Sequence, residues 1–130
     1  MFVMRANSSH QSRMHFNMNS YESGLFAEFL AKMYLRLHGF SIVKSRYITG
    51  RNTGRAEIDI IARRRNLMIF IEVKRRPSVD IAWSAITPAQ SVRLRRAAEN
   101  FIARTNWRGD TRFDAILVCG LRIYWARGAL

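Results

Sequence analysis

The sequence has few acidic residues, one cysteine and two prolines. Nine acids stand against 22 basic residues, so the 130-residue chain carries a net charge of +13. With Cys119 as its single cysteine, the chain cannot form an internal disulfide, and its three histidines have no zinc-ligand spacing with that cysteine. These absences predict a protein of the reducing cytoplasm and argue against a zinc site.

The chain also lacks a hydrophobic run long enough to span a membrane, and it has no apolar stretch typical of a secretory signal. The first 19 residues are rich in Met, Asn, Ser and His, and we predict a disordered extension there. A start site at Met14 or Met18 belongs to the same interpretation, and an organellar transit peptide is the alternative. The whole chain is 48% hydrophobic, and we expect residues 20–130 to form a single globular domain.

The basic excess predicts an anionic partner. Of the 22 basic residues, 19 are arginines, and the guanidinium group suits bidentate contacts with phosphate. Such a balance most often indicates nucleic acid, and less often a membrane surface. An acidic protein or a ribosome is a further alternative for the partner.

Hydrophobic periodicity and turn residues predict the order helix, three strands, helix, then one or two strands. The first predicted element is a helix over 20–38 with Ser20 as its N-cap and Gly39 at its C-terminal cap. The others are strands over 40–48, 56–62 and 67–74, an irregular connection over 78–86, a helix from Pro88, and strands over 111–119 and 121–126. A mixed sheet flanked by helices is the fold class that this order predicts.

The first helix contains one carboxylate on a strip of mostly small residues. Its predicted apolar face consists of Leu25, Phe26, Phe29, Leu30, Met33 and Leu37. Glu28 lies off that face, with Gly24, Ala31 and Leu35. A helix can press such a strip close to a sheet, and Glu28 would then point at the sheet. The alternative is a solvated acid that pairs with Lys32.

Acids replace apolar residues on one face of the predicted hairpin. Alternation places Glu57, Asp59 and Ile61 on one face of its first strand, and Met68, Phe70, Glu72 and Lys74 on one face of its second. The opposite face of the first strand is apolar, with Ala56, Ile58, Ile60 and Ala62. Because facing like charges are destabilising, the pattern predicts a bound cation. The alternative is an ion-pair cluster, with Lys74 on Glu72 and Arg55 on Glu57 or Asp59.

A hard divalent cation such as Mg²⁺ or Mn²⁺ would suit these oxygen donors. Asp59 and Glu72 would supply carboxylates, with the Val73 carbonyl beside them. Lys74 would orient the attacking water or stabilise charge on the phosphate, and Glu28 would bind a second metal or its water. Arginines around the hairpin would hold a nucleic-acid backbone over this cluster, namely Arg51, Arg55, Arg75, Arg76 and Arg93.

These residues resemble a known family. Glu28 in the first helix, Ala-Glu-Ile-Asp-Ile-Ile at 56–61 and Phe-Ile-Glu-Val-Lys at 70–74 are similar to the PD-(D/E)xK nuclease superfamily, and more closely to the YraN family, over roughly residues 21–118. The Phe113-Asp114 pair before an apolar strand also resembles that family. The resemblance implies a restriction-endonuclease-like α-β-β-β-α-β core, with Asp59 and Glu72 as Mg²⁺ ligands, Lys74 as the catalytic lysine and Glu28 as the helix-borne acid.

The chain departs from the family pattern twice. Ala56 stands where the family usually has Gly, and Gln90 stands where it usually has Lys. Gln90 has a local explanation, since Thr87 and Gln90 form a capping box sequence. Glu57 matches the motif, and a structural or substrate-side role is expected for it.

The carboxylate–lysine cluster and the basic surface predict a Mg²⁺-dependent endonuclease that hydrolyses DNA, with branched or structured DNA as a candidate substrate. The alternative is a non-catalytic nucleic-acid-binding module that retains a nuclease fold. A branched substrate would suit a symmetric homodimer.

Overall fold

The structure, a computed structural model, describes residues 18–50 and 54–130. Most of the predicted N-terminal extension (residues 1–17) and Arg51 therefore lie outside the described residues. The elements, in chain order, are α1 (Ser20–Leu37), β1 (Ser41–Thr49), β2 (Ala56–Arg64), β3 (Leu67–Arg75), α2 (Val79–Ser84), α3 (Pro88–Thr105), β4 (Asp110–Cys119) and β5 (Arg122–Ala126).

The five strands form one mixed sheet in the order β1-β2-β3-β4-β5. The first three strands are an antiparallel meander, β4 lies parallel to β3 after the crossover through α2 and α3, and β5 is antiparallel to β4. Helix α1 covers one face of the sheet and α3 the other, each over its own apolar core. The predicted α-β-β-β-α-β core is therefore present. No helix within the described ranges is both long enough and apolar enough to cross a membrane.

The ends of α1 are set by short-range hydrogen bonds. Its N-cap is Asn19 rather than Ser20, so that prediction was wrong by one residue. The Asn19 side chain accepts a hydrogen bond from the Glu22 N–H at 2.8 Å, and the Glu22 carboxylate accepts one from the Asn19 N–H at 3.2 Å. At the other end Gly39 adopts a positive φ of 84°. That left-handed conformation is the one predicted for a glycine after a helix.

The irregular connection predicted over 78–86 contains a short helix instead. The Ser78 hydroxyl accepts a hydrogen bond from the Ile81 N–H at 3.3 Å and caps α2. Ala82 of this helix is fully buried and packs with Ala115 and Leu117 of β4. A helix of six residues is too short to show a hydrophobic period, which explains why the sequence pattern missed it.

The buried face of α1 differs from the predicted one. Ala27, Ala31 and Leu35 are buried against the sheet, so the strip of small residues does press on it, as predicted. Most of the predicted apolar face points outward, with Leu25, Phe29, Met33 and Leu37 exposed. The two alanines let the helix approach the sheet closely, and most of its large apolar side chains other than Leu35 are left on the solvent side.

Candidate functional site

Strands β2 and β3 separate at the two predicted metal ligands. Their ladder runs regularly up to the pair Ile60 and Ile71, after which Asp59 and Glu72 would face each other. There the Asp59 side chain, rather than a backbone carbonyl of β2, is the acceptor for β3: its Oδ2 accepts a hydrogen bond from the Val73 N–H at 2.8 Å. The carboxylate is thereby held in the gap between the strands.

The neighbouring strand β1 is irregular at the same level. Its pairs with β2 include Tyr47 with Ile58 and Ser45 with Ile60, and Arg46 lies between them opposite Asp59 with a positive φ of 54°. The pleat of β2 changes here, and the predicted single apolar face is wrong. Ala56 and Ile58 pack toward α3, whereas Ile60 and Ala62 pack toward α1.

Asp59 is a partly buried acid beside a second acid. Burial, followed by the hydrogen bond and the charge of the Glu72 carboxyl, raises the pKa of Asp59 well above its ordinary value, and the Val73 N–H opposes that rise. Two carboxyl groups this close oppose each other's ionisation. A divalent cation between them would remove that repulsion.

Of the ion pairs predicted as the alternative to a metal site, the structure contains only the Arg55–Glu57 pair among its described residues, at the edge of the cluster. Arg55 lies 3.6 Å from the Glu57 carboxylate, with both side chains substantially exposed. Within residues 18–50 and 54–130, neither Asp59 nor Glu72 forms a salt bridge, and Lys74 forms none either. Arg55 thus pairs with Glu57, whereas no cationic side chain among the described residues forms a salt bridge with Asp59 or Glu72.

Glu28 reaches the same region from α1, but Arg46 already holds it. The Arg46 Nε and Nη2 donate to the two Glu28 carboxylate oxygens at 3.1 and 3.3 Å. The Glu28 side chain is 12% exposed. Burial raises the pKa of Glu28, and the hydrogen bond from Arg46 opposes that rise. Glu28 therefore points at the sheet, as predicted, and the alternative pairing with Lys32 is wrong, because Arg46 occupies both carboxylate oxygens of Glu28.

Two cavities meet at the carboxylate pair. One, of about 320 Å³, lies on the α3 side and is lined by Arg55, Glu57, Asp59, Glu72, Lys74, Gln90 and Arg93. The other, of about 370 Å³, lies on the α1 side, and its lining includes Ser20, Ser23, Glu28, Asp59, Glu72, Val73, Lys74, Arg75 and Arg76. Asp59, Glu72 and Lys74 line both cavities and so lie between them. We call these three residues the ridge.

The structure brings most of the predicted site residues together on this ridge and its flanks. Arg55 and Arg93 are on one side, and Arg75 and Arg76 are on the other. Arg75 also donates to the Ser23 hydroxyl at 3.3 Å. Because each cavity has its own arginines, an anionic chain crossing the ridge would meet cations on both sides.

The donor set fits one hard cation with partial protein ligation. In the described part of the chain, no group of three or more His, Cys, Asp or Glu side chains is placed to hold a metal. Mg²⁺ commonly takes only one or two carboxylates and completes its shell with water and phosphate oxygens. Asp59 and Glu72, with Val73 lining the adjoining cavity, are compatible with that mode of binding.

Gln90 has the local role that its sequence predicted. The Thr87 hydroxyl accepts from the Gln90 N–H at 3.1 Å, and the Gln90 side chain accepts from the Thr87 N–H at 3.2 Å. This capping box begins α3. Gln90 also lines the α3-side cavity, so its amide stands near the carboxylates while it caps the helix.

Sequence reasoning missed Arg46 and gave no role to Asp114, although it noted the Phe113-Asp114 pair. Arg46 gave no periodic signal, because its partner Glu28 lies 18 residues away. Asp114, from the Phe113-Asp114 pair, is fully buried. It accepts two hydrogen bonds from Arg112 and one each from Trp125 and the Gly128 N–H, all at 2.8 Å. Asp114 therefore fastens β5 and the C-terminal residues to β4.

The candidate site residues from Glu28 to Arg93 lie in the part of the chain that matches a known protein family. A family model described as uncharacterised protein family UPF0102 matches residues 27–118. A UPF0102 protein of Paramagnetospirillum magneticum is 40% identical over 119 residues, which is 90% of this chain and 91% of the relative. One of Bradyrhizobium diazoefficiens is 42% identical over 101 residues, 76% of this chain and 73% of the relative. One of Rhodopseudomonas palustris is 38% identical over 106 residues, 80% of each chain.

Proposed function

The chain belongs to the uncharacterised protein family UPF0102, the YraN family of the nuclease-like PD-(D/E)xK superfamily, and on this premise we propose that it is a Mg²⁺-dependent endonuclease that hydrolyses DNA, including branched or structured DNA. One observation carries the proposal. The carboxylates of Asp59 and Glu72 form a salt-bridge-free pair among the described residues, beside Lys74, on a ridge between two arginine-lined cavities.

Each part of the ridge has a role in phosphodiester hydrolysis. Asp59 and Glu72 would hold the cation, which when bound supplies Lewis-acid polarisation of the phosphate. Lys74 would place its ammonium against the oxygens that gain negative charge at the phosphorus. The Val73 N–H fixes the Asp59 carboxylate in position, so the ligand is preorganised before substrate arrives.

The two cavities support a substrate that is a chain rather than a single phosphate. Arg55 and Arg93 would bind the backbone on one side of the scissile bond, and Arg75 and Arg76 would bind it on the other. Arginine is well suited to such bidentate phosphate contacts. A cytoplasmic location remains a prediction from cysteine usage.

A second candidate is a non-catalytic nucleic-acid-binding module. It is favoured by the Arg46–Glu28 pair, which leaves only two carboxylates on the ridge without a cationic partner among the described residues. Such a module would use the same arginines but would bind DNA equally well with or without a divalent cation.

The test compares cleavage of branched and linear DNA in Mg²⁺ or Mn²⁺ by the wild type and the variants Asp59→Asn, Glu72→Gln and Lys74→Met. Glu99→Gln is the control, because Glu99 is an exposed acid on α3 that lines neither cavity. We expect cleavage by the wild type and the control, and a loss of at least about 100-fold in the other three. Equal trace cleavage by the wild type and Asp59→Asn would refute the nuclease proposal.

Metal binding is measured separately, by thermal unfolding with Mn²⁺ and with a chelator. A ligand that binds only the folded state raises the melting temperature. We expect Mn²⁺ to raise that of the wild type and Lys74→Met but not that of Asp59→Asn. If the protein bound the metal but did not cleave DNA, and if its DNA affinity were the same with and without the metal, the second candidate would be favoured.

A further inference from the structure

The outward face of α1 carries a row of large apolar side chains. Tyr21, Leu25, Phe29, Met33 and Leu37 are 65%, 40%, 55%, 43% and 81% exposed, and we call them the α1 stripe. The solvent face of a surface helix is normally polar. A continuous apolar row on an exposed helix face indicates an interaction surface.

The α1 stripe has the geometry of a packing ridge. Its members follow one another at intervals of four residues, so the row turns by about 40° around the helix at each step, and Leu25 and Met33 lie about 40° to either side of Phe29. From the first to the last, the stripe is about 24 Å long at the standard rise. Ridges of this kind pack into the grooves of another helix. The stripe therefore fits an α-helix better than it fits an extended chain.

The charges at the ends of the stripe are arranged symmetrically about its centre. Glu22 lies seven residues before Phe29, and Arg36 lies seven residues after it. Both are exposed, and Arg36 forms no salt bridge with any described residue. Only one Glu22 carboxylate oxygen is used in the capping box, so the other is available.

We propose that the α1 stripe is a homodimer interface in which two copies of α1 pack antiparallel about a twofold axis at Phe29. That arrangement sets Phe29 against Phe29 of the second copy and Leu25 against Met33 of the second copy. It also sets Glu22 opposite Arg36 of the second copy, once at each end. An isologous contact of this kind is the commonest way in which soluble proteins pair.

Charge favours a second copy over a membrane. The chain carries +13, so two copies repel each other over most of their surfaces, and the stripe is a face where opposite charges align. An anionic lipid surface would leave Glu22 without a partner, whereas a second copy places Arg36 opposite it. The five side chains would bury on the order of 500 Å² per copy, the size of a weak, concentration-dependent interface.

The first test is the oligomeric state across protein concentration, measured by sedimentation velocity on the full chain. We expect the wild type to pass from monomer to dimer over about 1 to 200 µM. Phe29→Glu should weaken the dimer at least about tenfold, because it opposes two carboxylates at the axis. Leu121→Glu is the control, since Leu121 is 80% exposed on another part of the surface. A wild type that stays monomeric, or a dimer that Phe29→Glu leaves unchanged, would overturn the proposal.

Crosslinking tests the antiparallel register. In a Cys119→Ser background, Phe29→Cys should form a disulfide dimer on mild oxidation. Glu22→Cys alone should not, because the two copies of position 22 would be about 21 Å apart. A mixture of Glu22→Cys and Arg36→Cys chains should crosslink. Efficient crosslinking of Glu22→Cys with itself would contradict the antiparallel register.

Vesicle binding tests the other occupant. If monomers bound anionic vesicles through Phe29 without forming dimers in solution, a membrane surface would replace the second copy. None of these variants alters Asp59, Glu72 or Lys74, so the outcome is independent of the proposed nuclease activity.

Discussion

The Asp59 carboxyl lies between β2 and β3, where its ionised form is disfavoured. Burial first, and then the Glu72 carboxyl, raises its pKa well above the ordinary value. Between the ordinary pKa and the raised one, the folded state binds more protons than the unfolded state, so the free energy of unfolding falls as pH rises. The metal-free protein is therefore destabilised at neutral pH by the residue that would bind the metal.

Asp59→Asn should relieve that destabilisation. The amide carries no charge to desolvate, and its oxygen can still accept from the Val73 N–H. In the presence of a chelator we expect the free energy of unfolding at pH 7 to rise by about 1 kcal/mol. Denaturant titrations from neutral to acidic pH should show the gain shrinking as pH falls below the raised pKa. A gain that is constant with pH, or one also seen in Glu99→Gln, would rule out this explanation.

Arg46 is strained and also holds Glu28. Its positive φ of 54° is costly for most residues, but Asn tolerates it. Arg46→Asn therefore removes the guanidinium while keeping the backbone. We expect the pKa of Glu28 to rise further in an NMR titration, because the hydrogen bond that opposes the rise is lost, and the protein to lose about 1 to 3 kcal/mol of stability. Arg122→Asn, on an exposed residue of β5, is the control, and an unchanged Glu28 titration would contradict the assignment.

At the scale of elements, the small residues of α1 set its distance from the sheet. Ala27 and Ala31 are almost completely buried between the helix and the strands. Close packing there brings Glu28 to Arg46 on β1 and beside the carboxylates on β2 and β3. The position of Glu28 is therefore a property of the helix–sheet contact.

Ala31→Leu should force α1 away from the sheet. Added methylenes in a filled core cost about 1 to 3 kcal/mol, and we expect a loss of that size in urea unfolding. Met33→Leu is the matched control, since it places the same side chain on the outer face of the same helix. At concentrations where the chain is monomeric, it should change stability by less than about 0.5 kcal/mol. Equal effects of the two changes would show that the inner face is loosely packed.

At the scale of the whole molecule, the net charge of +13 surrounds a small acidic centre. Glu28, Glu57, Asp59 and Glu72 gather near the ridge, so four of the nine acids are in one place. The rest of the surface is more basic than the net charge suggests. Such a field attracts a polyanion from a distance and weakens as salt is added.

The arginines of both cavities should contribute to the salt dependence of DNA binding. Each phosphate contact contributes a slope of about −0.9 in log affinity against log salt concentration. Arg93→Gln, in the α3-side cavity, and Arg76→Gln, in the α1-side cavity, should each reduce the slope by about that amount, and together by about twice as much. Arg122→Gln is the control. Fluorescence anisotropy at several salt concentrations measures these slopes, and no change in Arg76→Gln would limit the DNA to the α3 side.

The sequence alone determined the features that depend on neighbours along the chain. Alternation identified β2 and β3, the Thr87–Gln90 capping box marked the start of α3, and the positions of Asp59, Glu72 and Lys74 on adjacent strands predicted that they would share one site. Helix capping and strand-forming composition are local properties, which a sequence pattern records directly.

Only the tertiary structure decided the features that depend on distant contacts. The face of α1 that carries small side chains is the buried one, because it can approach the sheet most closely. The larger apolar face was left exposed. The Arg46–Glu28 pair and the opening of the strands at Asp59 join residues from separate elements. Helical periodicity shows that a face is apolar, but packing against a particular surface decides which face is covered, because shape and volume must match there.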